Sequence, residues 1–208
     1  MKTVILDFDD FSLEVNNLYY IDLLKKTYPK MKVSMFYIPF DVNNYDTLMD
    51  FQRAEVVQMI KDRDWIELIP HGLTHQGPEF MHIKNDDYET VFKGIEDGFN
   101  TYGLKMVKGF KAPHWAYKQN LVDFLDAKGW WLGVDRNHPK HPRTKRSYEY
   151  THSIDEAFWE SDLEEIRLHG HISLPSKNNL VDNMVNLMKI DPEVDWKFVS
   201  EVMNEKDS

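Results

Sequence analysis

Apolar and polar positions follow two rhythms along the chain. Runs rich in β-branched and aromatic residues recur at about 3–8 (Thr-Val-Ile-Leu-Asp-Phe), 32–38, 65–70, 106–111, 130–134, 165–170 and 195–199, and each reads as a short strand. Between them lie stretches of three-to-four spacing near 15–28, 47–63, 86–102, 117–128 and 178–189. In one of these, Tyr88, Val91, Phe92, Ile95 and Phe99 trace an apolar helical stripe. Strand and helix alternating over the whole length predict an α/β fold with a parallel sheet. Seven strands in 208 residues suit a distorted seven-stranded parallel (β/α) barrel, TIM-barrel-like, ahead of a doubly wound open sheet. There is no internal repeat, and the length predicts a single domain over 1–208. The stretch 136–148 breaks the rhythm: it carries Pro139 and Pro142 among Arg136, Lys140, Arg143, Lys145 and Arg146, and reads as a long basic loop.

Composition narrows the chemistry. The chain has no Cys, which removes disulfides, thiolate metal sites and thiol nucleophiles, so any metal must sit on His, Asp or Glu. Its 25 basic and 35 acidic residues give a formal charge of −10, which argues against nucleic acid or an anionic membrane surface as partner. No run approaches the ~18 apolar residues of a membrane span, and the first ten residues hold too few apolar side chains for a signal-peptide core. The expected location is the cytoplasm. The sequence carries no signal for oligomeric state.

The chemically loaded residues fall where the predicted strands end. Asp9 and Asp10 follow the first strand, His71 and His75 the third, Lys111 to Trp115 the fourth and Asp135 the fifth, while His169 and His171 end the sixth. That rim is where parallel α/β folds build their sites. His71-Gly-Leu-Thr-His75 spaces two imidazoles four residues apart, which on a helical turn projects both to one side and lets them bind one ion. Asp10 could complete a two-His-one-Asp set with an open position for water. Alone, such a spacing is as often a pair of exposed polar residues, and adjacent acids after a strand are often a solvated turn. Two carboxylates packed together, however, call for a compensating cation.

These segments bring a family into view. Asp7-Phe8-Asp9-Asp10 resembles the Thr-Phe-Asp-Asp motif of the polysaccharide deacetylases, the NodB-homology family of carbohydrate esterases. His71-Gly-Leu-Thr-His75 resembles their His-Ser-x-x-His metal motif, and Gly109-Phe-Lys-Ala-Pro-His-Trp115 their Phe-Arg-x-Pro segment. Ile166-Arg-Leu-His169 is similar to their closing Leu-His motif, so the likeness runs in order over nearly the whole chain.

The resemblance implies a metal-dependent hydrolase that removes N-acetyl groups from an amino sugar or its oligomer. Asp10, His71 and His75 would hold a divalent metal, most often zinc (Zn2+), with Co2+, Ni2+ or Mn2+ also accepted. Asp9 would be the general base, held ionised by Lys111 where relatives carry Arg, and His169 the general acid. A divalent ion lowers the pKa of bound water from ~15.7 toward ~7, within reach of a carboxylate base. Pro113, His114, Trp115, Asp135 and His171 are expected to line the substrate, with the His114 N–H toward the oxyanion and the Trp115 ring toward the sugar. The partner of His169 is not evident; the acid that tunes it in the family would fall near His138. His171 stands two residues from His169 on one strand face, either as a substrate contact or as a structural group. Glu79-Phe80 reads as a loop with Phe80 packed on the barrel. The basic loop is either solvated or folded over the rim toward an anionic part of the substrate. Two other readings stand beside the leading one: hydrolysis of another C–N amide, and a catalytically silent carbohydrate-binding barrel.

Overall fold

Each of the seven predicted strands has a counterpart in the computed structural model, which describes residues 1–42, 48–84, 87–172 and 176–205. The elements run β1 (Thr3–Phe11), α1 (Leu18–Thr27), β2 (Val33–Tyr37), α2 (Asp50–Lys61), β3 (Ile66–Pro70), α3 (Tyr88–Thr101), β4 (Gly109–Lys111) and α4 (Gln119–Lys128). They continue with β5 (Trp131–Val134), β6 (Ser147–Glu149), β7 (His152–Ser153), β8 (Glu165–His171), α5 (Met184–Leu187), β9 (Asp195–Lys197) and α6 (Val199–Glu205). The predicted helix starts at 47 and 86 lie outside the described residues.

All strand pairings are parallel, so the class is as expected. The strand count differs. The described residues form nine strands in two sheets, one ordered β3-β2-β1-β8-β7 with β9 also on β1, the other β4-β5-β6. The extra two, β6 and β7, are too short for periodicity to reveal, and β6 takes the last residues of the predicted 136–148 loop. The sheets meet where Leu68 bridges Met106 and the Val107 N–H donates to the Leu68 carbonyl at 3.0 Å. Strand β1 organises the larger sheet. Strand β8 runs along one of its edges from Thr3 to Asp9, so the other edge is shared, by β9 at Thr3–Ile5 and by β2 from Asp7 onward.

Period-two alternation sorts the strand residues into two layers. Val4, Leu6 and Phe8 of β1, Met35 of β2, Phe110 of β4, Leu132 of β5 and Leu168 of β8 face outward into a core shared with the helices. Helix α3 covers part of that core with the predicted stripe of Tyr88, Phe92, Ile95 and Phe99. The opposite faces put Ile5, Phe36, Ile69, Trp131 and Tyr148 into a separate inner cluster, closed by Val199, Val202 and Met203 of α6. Asp7, Asp9, Lys111, His169 and His171 continue the inner faces of β1, β4 and β8 above that apolar layer. The interior is therefore greasy at its floor and charged at its rim.

The helix predicted over 178–189 shrinks to Met184–Leu187. Asn179 donates to the Asp182 carboxylate at 2.8 Å, and Asn183 donates to the Lys177 carbonyl at 2.8 Å. These side chains offer the backbone turns in place of a helix. Among the described residues no helix is long and apolar enough to cross a membrane.

The inner layer leaves no spare room. A Cβ added at Gly109 would lie 2.0 Å from the buried Trp131 ring. Gly109→Ala is expected to lower unfolding stability by about 1–3 kcal/mol through overpacking, read from the denaturant midpoint. An unchanged midpoint would mean that Trp131 yields freely and that the floor is loosely packed.

Candidate metal centre and active site

A regular strand would send Asp9 and Asp10 to opposite faces. The pairing of β1 with β2 is irregular between Phe8 and Phe11, and Asp10 has a left-handed φ of 63°. The bulge turns Asp10 back toward the rim beside Asp9. Asp, with a short polar side chain, tolerates this conformation better than most residues. Strain of this kind gathers around the site, at His75 (φ 56°), His114 (φ 55°) and Trp115 (φ 56°).

The two imidazoles after β3 reach the same point by a route other than the expected helical turn. Residues 71–75 form a bent loop in which Gly72 has φ 78°. A Cβ at Gly72 would strike Glu79 at 2.1 Å and Pro113 at 2.6 Å, so only glycine fits. Glu79 holds the loop closed: it accepts from the Leu73 N–H at 2.8 Å and from the Thr74 hydroxyl at 2.7 Å. Phe80 is buried against Phe92 and Phe110, as expected for that segment. The Glu79 clamp goes beyond the ordinary loop read from the sequence.

Asp10 Oδ1 stands 3.4 Å from His71 Nε2 and 3.1 Å from His75 Nε2. Ligands on 2.0–2.1 Å arms at tetrahedral corners lie about 3.3–3.4 Å apart, so this set has the spacing of a divalent metal site. The His71 Nδ1–H donates to the Lys111 carbonyl at 2.9 Å, which leaves Nε2 with its lone pair toward the centre. Burial pushes the Asp10 carboxyl up, but hydrogen bonds with His71 and His75 and the electrostatic pull of His71 and His171 outweigh it and hold it low.

Beneath lies a buried ionic network. Lys111 Nζ donates to Asp9 Oδ1 at 2.7 Å and to Asp7 Oδ1 at 2.9 Å, and all three side chains are buried. The ammonium also lies 3.6 Å from the Phe36 ring centroid and 4.8 Å from that of Trp115. Asp7 accepts from His169 Nδ1–H at 2.8 Å and from the Tyr148 hydroxyl at 2.8 Å. Burial alone would raise the Asp7 carboxyl; Lys111 and His169 bring it down to about 2. Asp9 is likewise lowered, with burial opposed by Lys111 and the surrounding imidazoles. Tyr148 stays a phenol, raised by burial and by Asp7. His169 Nε2 faces Asp9 Oδ2 at 3.8 Å.

Asp7 and Tyr148 are the residues that sequence reasoning missed. The signal for Asp7 was present, since i and i+2 on one strand share a face and Asp7 is two before Asp9. The partner of His169 is thus on β1. Asp135, the acid after β5, instead accepts from the Tyr150 hydroxyl at 2.8 Å, the Asn137 N–H at 2.9 Å and His138 Nδ1–H at 2.7 Å. It meets His169 through Tyr150, whose ring centroid is 4.8 Å from the imidazole.

The rim is aromatic. Half-buried Trp115 stands edge-on to His169 at 5.5 Å and 5.9 Å from Tyr150, while exposed His114 lies 4.9 Å from His75. Pro113 is buried behind them. His171 Nδ1–H donates to Asn178 Oδ1 at 2.8 Å and its Nε2 is 4.0 Å from Asp10 Oδ2. The arginines of the basic loop are tied to the chain itself: Arg136 to Glu156, Arg143 to Glu149 at 2.5 Å, and Arg146 to the Met203 carbonyl at 2.8 Å. That leaves less charge for an anionic substrate than the sequence suggests.

No protein-family model matches the sequence, and no curated protein does. Solved structures do share the fold. A peptidoglycan deacetylase from Bacillus subtilis is 14% identical with a TM-score of 0.65, covering 99% of this chain and 92% of that one. A family 4 acetyl xylan esterase from Clostridium thermocellum, solved with a cobalt ion, is 12% identical with a TM-score of 0.64 and the same coverage. A family 4 pseudoenzyme from Bacillus anthracis is 15% identical with a TM-score of 0.58, over 98% of this chain and 66% of that one. The chain therefore has the fold of the family 4 carbohydrate esterases.

The folded pKa of Asp7 lies below that of an unfolded carboxyl near 3.9, so its stabilising share is present above about pH 4 and is lost as pH falls toward 2. Asp7→Asn is expected to be less stable than the parent at neutral pH, with the gap closing between pH 4 and pH 2. Urea midpoints across that range check it, and a gap that stays constant would remove Asp7 as an ionised partner of Lys111.

Proposed function

We propose that the chain, acting as one domain, is a metal-dependent deacetylase that removes N-acetyl groups from an amino sugar or its oligomer. The observation that carries this reading is the convergence of an Asp10–His71–His75 ligand set with Asp9 and His169, whose free atoms face each other at 3.8 Å. The shared fold with deacetylases and esterases supports it. Zinc suits two imidazoles and one carboxylate, although cobalt, nickel or manganese would fit the same donors. When bound there, such an ion polarises an acetyl carbonyl and brings a water's pKa near neutrality.

The chain's own groups divide the remaining work. Asp9, pinned by Lys111 through one oxygen, turns the other toward the site and takes the proton of the attacking water. The His114 N–H donates to the oxyanion that forms on the acetyl carbon. His169, its ring oriented by Asp7 as in a catalytic triad, delivers a proton from Nε2 to the departing amine. Acetate and a free amino sugar leave. Trp115 and Tyr150 offer flat faces beside His169 for the sugar ring, and Pro113 sets the loop that carries His114.

The test is acetate release from N-acetylglucosamine oligomers, before and after chelation and readdition of zinc. The expected outcome is about one tightly bound metal per chain, chelator-sensitive release, and a fall of roughly 10²–10⁴ in kcat for Asp9→Asn. Stoichiometric metal without acetate release would move the substrate to another amide. Metal-free protein after reconstitution, with Asp10→Ala and His75→Ala indistinguishable from the parent, would sink the catalytic reading and leave a carbohydrate-binding barrel.

A further inference from the structure

A second set of ligand atoms lies beside the first. Asp9, His169 and His171 each offer one, and these lie within 4.8 Å of one another. Both imidazoles are anchored through Nδ1–H, His169 on Asp7 and His171 on Asn178, each at 2.8 Å. In the neutral form each Nε2 is an acceptor, as a metal ligand must be, and each faces a carboxylate oxygen: His169 toward Asp9 Oδ2 at 3.8 Å, His171 toward Asp10 Oδ2 at 4.0 Å. Such pairs call for a positive charge between them, met by a proton on Nε2 when His169 serves as the acid and by a cation that takes the proton's place.

The backbone enforces this arrangement. The register of β1 and β8 sets Asp7 against His169 and Asp9 against His171. Gly170 between them is wedged, since a Cβ there would meet Ile154 at 2.5 Å and the Asn178 carbonyl at 2.9 Å. The His171 N–H donates to the Asn178 carbonyl at 2.9 Å and its own carbonyl accepts from Leu180 at 2.8 Å, which fixes the ring from both sides.

We propose that Asp9, His169 and His171 form a second divalent-cation site, weaker than the Asp10–His71–His75 site, whose occupation silences the enzyme. Two imidazoles and a carboxylate select zinc over magnesium or calcium. Lys111 makes the site weaker, because its ammonium already takes the other oxygen of Asp9 at 2.7 Å and repels an incoming cation. Occupation ties up the Asp9 oxygen and the His169 nitrogen that move protons in the reaction proposed above. The inhibitory half of the inference rests on that reading; the binding half does not.

Zinc titration of chelated protein, by calorimetry and by metal analysis after equilibrium dialysis, tests it. Two equivalents are expected, the second at least tenfold weaker, with acetate release rising on the first and falling on the second. His171→Asn is expected to lose the second equivalent and keep the first, while His75→Ala weakens the first. Asn178→Ala, which keeps the imidazole but frees it to turn, should weaken the second alone and stands in if His171→Asn fails to fold. One equivalent at saturating zinc with normal acetate release would overturn the second site and leave the proposed function intact. So would a second equivalent unchanged in both the His171 and Asn178 variants. Absence of any bound zinc would overturn both.

Discussion

The site depends on one ammonium group. Lys111 reaches from β4 across the interior to Asp7 and Asp9 of β1, so it joins the two sheets and stabilises two carboxylates that burial would otherwise drive toward protonation. Removing one partner of a buried ion pair strands the other charge and typically costs about 3–5 kcal/mol. Here two charges would be stranded. Through Asp7 the same ammonium also bears on His169, and through its backbone carbonyl Lys111 orients His71. One residue thus links Asp9, His169 and His71.

Two departures from the family motifs are physically coupled. Where Thr stands in the resembling motif this chain has Asp7, and where Arg stands it has Lys111. Arginine offers a planar fork suited to one carboxylate, whereas an ammonium is a compact point charge that can donate to separate acceptors. With carboxylates at both Asp7 and Asp9, two strand positions apart, a point charge between them meets the geometry. Beside Asp7, the Lys is a rewired support for the Asp9 carboxylate.

What the sequence reveals well is periodicity. Alternation of two located the strands, and the clustering of polar residues at strand ends located the rim, because both follow from which side chains a parallel sheet buries. The candidate metal ligands were legible as residue types but not as geometry: Asp10 needs a bulge to face inward, and His71 and His75 converge through a glycine-bent loop clamped by Glu79 six residues from Leu73. Asp7 was hidden among neighbouring acids, and Tyr148 within a segment read as loop. Local side-chain hydrogen bonds decided the short α5, where Asn179 and Asn183 divert the backbone.

The shared edge of β1 bears on how the chain assembles. Strand β1 leaves the ribosome before its neighbours and finds β2 early, but one part of that edge belongs to β9 and its opposite edge, from Thr3 to Asp9, to β8, more than 150 residues downstream. At ordinary elongation rates that gap lasts on the order of ten seconds. Throughout it, a strand bearing three carboxylates has a half-made sheet and lacks Lys111 until β4 emerges. Those acids serve the nascent segment well, since like charges on an unpaired edge discourage premature pairing with another chain. The same residues that build the candidate site therefore guard the strand while it waits for its neighbours.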